Sequence, residues 1–316
     1  MTVSVLHTAD AWWVKTADGA AQIDTAATTT AALLADGAAI DAAVNGGATR
    51  GELVAVDGLK LVSPVTRPCR VIAQMTNFKS HAKDAAMDPA SVPLTFFRKA
   101  SASITGPFDD IVKPAHVKLL DYEVEIGLVV GRAIPIATTI SEENLVEFIA
   151  GLVVTNDVSA RDVQLPQTQF YEAKSYPTFT PVGPELVLLT AEELARFGDL
   201  RLRLSVNGDE RQNALVHGDM LYRPLEALRS LTQFQELAPG DLILTGTPVG
   251  TALSAPPKPV QIIGNLMPPN LKWKMFFARQ AGNPDYLQDG DIVEATAATD
   301  DGTIDLGTQR TAVRFA

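Results

Sequence analysis

Residues 121–131 read DYEVEIGLVVG, an apolar run with acids at alternate positions. Strand side chains alternate between faces, so Asp121, Glu123 and Glu125 point one way while Tyr122, Val124 and Ile126 point the other. One face belongs to a core and the other is acidic. Like charges on neighbouring same-face positions repel, so such a face needs a cation, a proton or an arginine among its carboxylates. A metal meets that need, and so does Arg132 or Arg161; the local pattern leaves both open.

Downstream, Gly151–Thr155 reads as a second buried strand, followed by Asn156 and Asp157. If the two strands are neighbours, Asp157 meets the glutamate pair. Glu123, Glu125 and Asp157 would then offer only hard oxygen donors, which suits Mg²⁺ or Mn²⁺, with Ca²⁺ a further candidate, and argues against zinc.

The whole chain sets the limits. With 316 residues, 46% hydrophobic and 20% charged, it is long enough for a large core and too apolar for disorder. No apolar run has the length of a membrane span, and the first residues lack a basic leader and an apolar segment, so the expectation is a cytoplasmic protein with no membrane partner. A net charge of −11 argues against nucleic acid. A small anionic substrate fits only where metal, Arg and Lys reverse the field. The single Cys69 excludes an intramolecular disulfide and reads as a small core residue.

Residues 1–68 read as a small separate unit. Its expected strands are Val3–Leu6, Ala11–Val14 and Leu59–Val62, with a weakly helical Thr25–Val44 interrupted at Gly37. Trp12 and Trp13 read as sheet packing. The proline-bearing stretch 63–68 then links to a catalytic unit over 69–316, where Arg70–Ala73 suits a buried strand and Thr76–Asp84 a short helix. On that helix His81 and Asp84 are i and i+3 neighbours, close enough for the carboxylate to orient the imidazole. Ser141 opens an expected helix through Phe148, Asn207–Gly208 marks a hairpin, and residues 252–286 lose all periodicity, as a lid, contact arm or mobile loop would. His7, His116 and His217 fall in no motif.

Five blocks in order, DYEVEIGLVVG, TNDVSARDVQ, AKSYPTFTPVGP, VNGDERQ and PGDLILTGTPVG, resemble the signatures of the fumarylacetoacetate hydrolase family, and the likeness runs from about Arg70 to the C-terminus. The resemblance implies a β-rich α+β fold, a mixed β-sandwich roll with a small N-terminal α+β domain, usually assembled as a homodimer. It implies metal ligation by Glu123, Glu125 and Asp157, and substrate contacts from Arg161, Gln164, Lys174 and Thr247. It implies a divalent-metal-dependent hydrolase cleaving a C–C bond in an acylpyruvate-like 2,4-dioxo acid, in catabolism of aromatic compounds or sugar acids. The alternative is an oxo-acid decarboxylase or keto–enol isomerase on the same metal site.

In the hydrolases a His–acid dyad takes a proton from the attacking water, a role the resemblance gives here to His81 with Asp84, while Lys174 offsets oxyanion charge. Three positions depart from the family pattern. Asp84 replaces the usual Glu and is one methylene shorter; Phe78 replaces a common Tyr; and Gln74 stands where some members carry a fourth carboxylate ligand, so three protein ligands are expected.

Overall fold

The computed structural model of the chain describes residues 2–46, 49, 51–167, 170–256 and 266–316. Val124–Val130 and Ile149–Asn156 are rich in β-branched and small residues and are buried almost throughout, as strands covered on both faces must be. They pair antiparallel, with Glu125 opposite Thr155. Around them runs a nine-stranded sheet in the order 19–22, 12–16, 3–7, 186–188, 149–156, 124–130, 242–244, 71–74 and 96–99. Leu242–Leu244 and Val71–Gln74 form its one parallel pair among the described residues.

A second sheet, in the order 209–215, 200–206, 292–299, 305–315 and 111–113, covers one face. Its strands alternate as a half-buried sheet should: Leu200, Leu202, Leu204 and Val206 point in while their neighbours are more exposed. The hairpin at Asn207–Gly208 has positive φ at both residues, 54° and 86°, the backbone that a two-residue turn between right-twisted strands needs. Val124, Ile126, Leu128 and Val130 enter the core between the sheets. Val129, on the opposite face, joins Leu33 and Ile40 of the helices Thr30–Ala35 and Gly37–Val44 in a second core. This is the β-rich α+β sandwich expected, and the helical stretch is interrupted beside Gly37 as expected.

The first residues share the large sheet. Val3–His7 pairs with Leu186–Leu188, and Val5, Trp12 and Val14 lie in one apolar cluster with Val71, Val153 and Leu242. Trp12 is buried with its indole N–H donated to Ala27 O at 2.9 Å, and Trp13 donates to Thr8 Oγ1 at 3.2 Å. Both serve packing.

Four expected elements differ. Asp121–Gly131 is not one strand: Leu120–Asp121 pairs with Ser159–Ala160, and the main strand starts at Val124. At the break, side chains replace the ladder. Asp121 Oδ1 accepts from Tyr122 N, Asn156 Oδ1 from Glu123 N and Gln212 Oε1 from Val124 N. Leu59–Val62 makes only a bridge at Leu61. Ser141–Phe148 holds a single 3₁₀ turn, Leu145–Glu147, because Asn144 folds its side chain back onto Ser141 N. The stretch 252–286 contains a helix, Pro269–Gln280, while 257–265 lies outside the described residues.

Gly151 is fixed by the sheet. A Cβ there would lie 2.3 Å from the Val187 carbonyl oxygen, inside the pairing that joins the N-terminal strands to the centre. Gly151→Ala is expected to destabilise the protein by about 1–3 kcal/mol, read as a lower urea midpoint; an unmoved midpoint would mean that this pairing yields without cost.

Candidate metal centre and substrate cavity

The strand break gathers the acids. Glu123, Glu125 and Asp157 are all buried and bring carboxylate oxygens within 4.8 Å of one another. Asp157 is placed by its own N–H, which donates to Glu123 O at 2.8 Å. Glu125 accepts from Gly246 N at 2.6 Å. Gly246 has φ +85°, and a Cβ there would sit 2.7 Å from Asn77 Cβ, so only glycine brings this N–H to the carboxylate.

Three cations enter the same buried cluster. Arg161 Nε donates to Asp121 at 2.7 Å and its Nη2 to Glu123 at 2.5 Å. Lys174 Nζ bridges Glu123 at 2.7 Å and Asp157 at 2.6 Å. Lys99 Nζ donates to Asp157 and, at 2.8 Å, to Phe179 O. Asp121 is thus engaged by Arg161 and by the N–H groups of Ala252 and Leu253, as an anchor for that loop. Arg132 pairs with Glu147 at the surface, so Arg161 is the arginine that serves the acidic face.

Four carboxylates nevertheless face three cations, and Glu125 is the one without a cationic partner among the described residues. Burial, then Asp157 and Glu123, push its pKa well above the usual carboxylate range, which Lys174 and Gly246 N–H offset only in part. Burial also pushes Glu123 up, but Lys174, Arg161 and His81 outweigh it and hold the carboxyl at about 2. Burial lowers the Lys174 ammonium, and Asp157 and Glu123 more than reverse that. A divalent cation is what such a cluster can hold: three hard oxygen donors, one carboxyl whose proton a cation would displace, and room for a ligand beside it. A further sign is Gln74, whose buried Oε1 has no hydrogen-bond partner and lies on the wall of the same cavity.

That cavity has a volume of about 740 Å³. His81, Asp84, Glu123, Glu125, Arg161, Gln164, Lys174 and Thr247 all line it, and Asp157 stands behind the wall, tied to both lysines. Gln164 gives its carbonyl oxygen to Arg161 Nη1 at 2.8 Å, leaving its NH₂ as the group it can offer a ligand. Thr247 is more committed. Its hydroxyl donates to Val124 O at 2.9 Å and accepts from Gln212 Nε2 at 2.8 Å.

His81 and Asp84 stand on the helix Lys79–Asp84 as the spacing predicts, yet no hydrogen bond joins them among the described residues. His81 Nδ1 is buried without a partner. Burial lowers the His81 pKa, Glu123 opposes this, and Arg161 and Lys174 lower it further, so the ring is neutral near pH 7. Asp84 is raised by partial burial, against the pull of His81.

Residues that sequence reasoning passed over complete the frame. Lys99 shares a strand face with Phe97, a period-two signal that the exposed Arg98 beside it masks. Gln212, within the block VNGDERQ, staples the second sheet to Val124, Thr247 and Pro248. Asp162, next to Arg161, is structural and accepts from Lys118 N and Leu119 N. Cys69 is half-buried with its thiol pushed up to about 11 by burial, which removes it from nucleophilic chemistry. His7 stacks on Trp12, His116 bonds Tyr176 and His217 lies beside Arg223, all away from this cavity.

Residues 70–314 match the family model of the fumarylacetoacetate (FAA) hydrolase C-terminal domain. The chain belongs to the fumarylacetoacetate hydrolase family. This is a family of enzymes, and its named relatives differ in reaction. Over 197 residues the chain is 34% identical to the mitochondrial oxaloacetate tautomerase Fahd2a of Rattus norvegicus, spanning 62% of this chain and 61% of that one. Over 248 residues it is 31% identical to the 2,4-didehydro-3-deoxy-L-rhamnonate hydrolase of a Sphingomonas strain, spanning 78% and 74%. A crystal structure of a probable 2-hydroxyhepta-2,4-diene-1,7-dioate isomerase from Mycobacterium abscessus matches over 100% of this chain and 99% of its own, with a TM-score of 0.74 and 28% identity. The fumarylacetoacetate hydrolase fold is thus shared along the whole length, including the N-terminal strands. No helix among the described residues is long and apolar enough to cross a membrane.

The charge pattern gives opposite outcomes for the two glutamates. Glu123→Ala leaves Arg161 and Lys174 short of a buried partner and is expected to destabilise by about 3–5 kcal/mol. Glu125→Gln removes the carboxyl whose ionised form the cluster penalises; it is expected to raise the metal-free melting temperature while abolishing any further rise on adding Mg²⁺. Thermal melts with and without Mg²⁺ check both. The sign for pH follows from Glu123: its folded pKa of about 2 lies below the ordinary 4.5, so its contribution is present above 4.5 and lost as pH falls towards 2. Acid unfolding of the wild type in that window, weakened in Glu123→Ala, is the expected titration.

Proposed function

We propose that the chain is a divalent-metal-dependent hydrolase that cleaves a carbon–carbon bond in a 2,4-dioxo acid, yielding pyruvate or a related oxo acid and a carboxylic acid. The observation that carries this reading is the union, in one cavity, of a buried three-carboxylate cluster with a neutral histidine. The Sphingomonas relative, a hydrolase by name, supports it.

Glu123, Glu125 and Asp157 would hold Mg²⁺ or Mn²⁺, which supplies Lewis-acid polarisation of the substrate's 2-oxo group. Neutral His81 takes a proton from water at an unprotonated ring nitrogen; the oxygen bonds to C4, the C3–C4 bond breaks, and its electron pair passes to the C2–C3 enolate. A proton then returns to C3. Burial keeps the imidazole in its basic form near neutral pH, which is the state a general base requires. Lys174 sets an ammonium against the developing oxyanion, and Arg161 with Gln164 orients the substrate. Thr247 can receive the substrate carboxylate once its hydroxyl turns from Val124 O.

A second reading has its own observation. His81 is not held by Asp84, and enolate formation without water asks less of an oriented base. Keto–enol tautomerisation, isomerisation or decarboxylation would use the same cluster, and the rat relative is a tautomerase by name.

An acylpyruvate panel with Mg²⁺, followed by loss of enol ultraviolet absorbance and product identification, separates the two. Hydrolysis predicts stoichiometric pyruvate and acid, abolition by chelator, and a loss of about 10²–10⁴ in kcat for His81→Ala. Full turnover in His81→Ala, or enol loss without carboxylic acid, would assign tautomerisation or its relatives.

A further inference from the structure

The helix Pro269–Gln280 forms part of the cavity wall. Its start is set by Pro269 in the first turn, where a fixed φ and a missing N–H cost nothing. None of its twelve residues is fully buried, although Trp273, Phe276 and Phe277 share one face at i, i+3 and i+4. Trp273 stacks on Phe277 at 5.7 Å and meets Phe276 edge-on at 5.9 Å. Phe277 packs against the main core. Trp273 and Phe276, with Met275, instead line the cavity. Helices of this length draw their stability from burying an apolar face, and here Trp273 and Phe276 of that face line the cavity that Glu123 and Glu125 also line.

A second aromatic pair lines the same space. Phe97 and Phe170 meet edge-on at 5.6 Å, and Lys174 Nζ lies 5.5 Å from the Phe97 ring centre. Lys174 and Phe97 thus bring the carboxylate cluster into contact with the aromatic lining, while Lys272 and Arg279 of the helix line the cavity as well. About 740 Å³ is the volume of a site for a drug-sized molecule, well beyond what a four- or five-carbon oxo acid fills.

We propose that the substrate's distal group is large and aromatic, seated among Trp273, Phe276, Phe97 and Phe170 while its oxo-acid end lies at the carboxylate cluster. The inference rests on the oxo-acid reading above and adds the substrate class. Four rings lining one cavity favour an aryl group over a linear chain, because ring–ring contacts add to plain area burial. Trp273 and Phe276 act as specificity residues through contact with that group.

The test is a comparison of acetylpyruvate, benzoylpyruvate and an acylpyruvate ending in a second carboxylate, by kcat/KM and by Mg²⁺-dependent binding calorimetry. The wild type is expected to favour the phenyl compound by at least about tenfold. Trp273→Ala with Phe276→Ala is expected to shrink that preference about tenfold, chiefly through KM and Kd. Equal handling of methyl and phenyl compounds, or preference for the second carboxylate read by Lys272 and Arg279, overturns the inference and leaves the hydrolase reading standing. Phenyl preference with enol loss but no cleavage upholds it and overturns hydrolysis. Absence of Mg²⁺-dependent binding for every compound overturns both. A double variant with unchanged preference but altered sedimentation mass makes the helix a contact arm and overturns the inference.

Discussion

Four buried carboxylates share one small volume with only three buried cations, and the rest of the molecule is arranged around that imbalance. Arg161, Lys174 and Lys99 stabilise Asp121, Glu123 and Asp157 through direct charge-assisted hydrogen bonds. Glu125 is left with a backbone N–H. An ionised carboxylate without a cation is so costly in a buried site that Glu125 is driven towards its protonated form, an arrangement that persists only where the surrounding fold is strong and the site has a use. The sandwich supplies the first condition. Its central strands are buried on both faces, with one core between the sheets and another under the N-terminal strands and helices.

The strand break is the local device that makes the cluster possible. Pairing with Ile149–Asn156 holds Val124–Val130 to apolar neighbours, while Tyr122 and Glu123 leave the ladder and have their N–H groups taken by Asp121 and Asn156 side chains. Freed from strict strand geometry, Glu123 meets Arg161 and Lys174, and Asp157 follows it through a single backbone bond. Lys174 then occupies the space between Glu123 and Asp157, so a cation held by these carboxylates would displace its ammonium from them.

Much of this was legible in the chain. Alternation in DYEVEIGLVVG separates acid from core, and that separation survives the break because Tyr122, Val124 and Ile126 all enter one apolar cluster. Placing Asp157 beside the glutamates needed only two adjacent strands. What local pattern could not show were the long-range contacts: Lys99 reaching Asp157 across 58 positions, Gln212 reaching Val124 across 88. The helix at Pro269–Gln280 was hidden because prolines and charges surround it and its apolar stripe is short. His81 and Asp84 have the right spacing on their helix, yet spacing fixes backbone positions and not side-chain bonds, and the two remain apart.

The central claim is that Glu125, the carboxyl without a cationic partner among the described residues, is there for a divalent cation. Anomalous scattering from crystals grown with Mn²⁺ tests it directly. The account predicts a single strong peak coordinated by Glu123, Glu125 and Asp157, with Lys174 Nζ moved off the Glu123–Asp157 bridge. Saturating Mn²⁺ with no peak there, and Lys174 still bridging the two carboxylates, would contradict it.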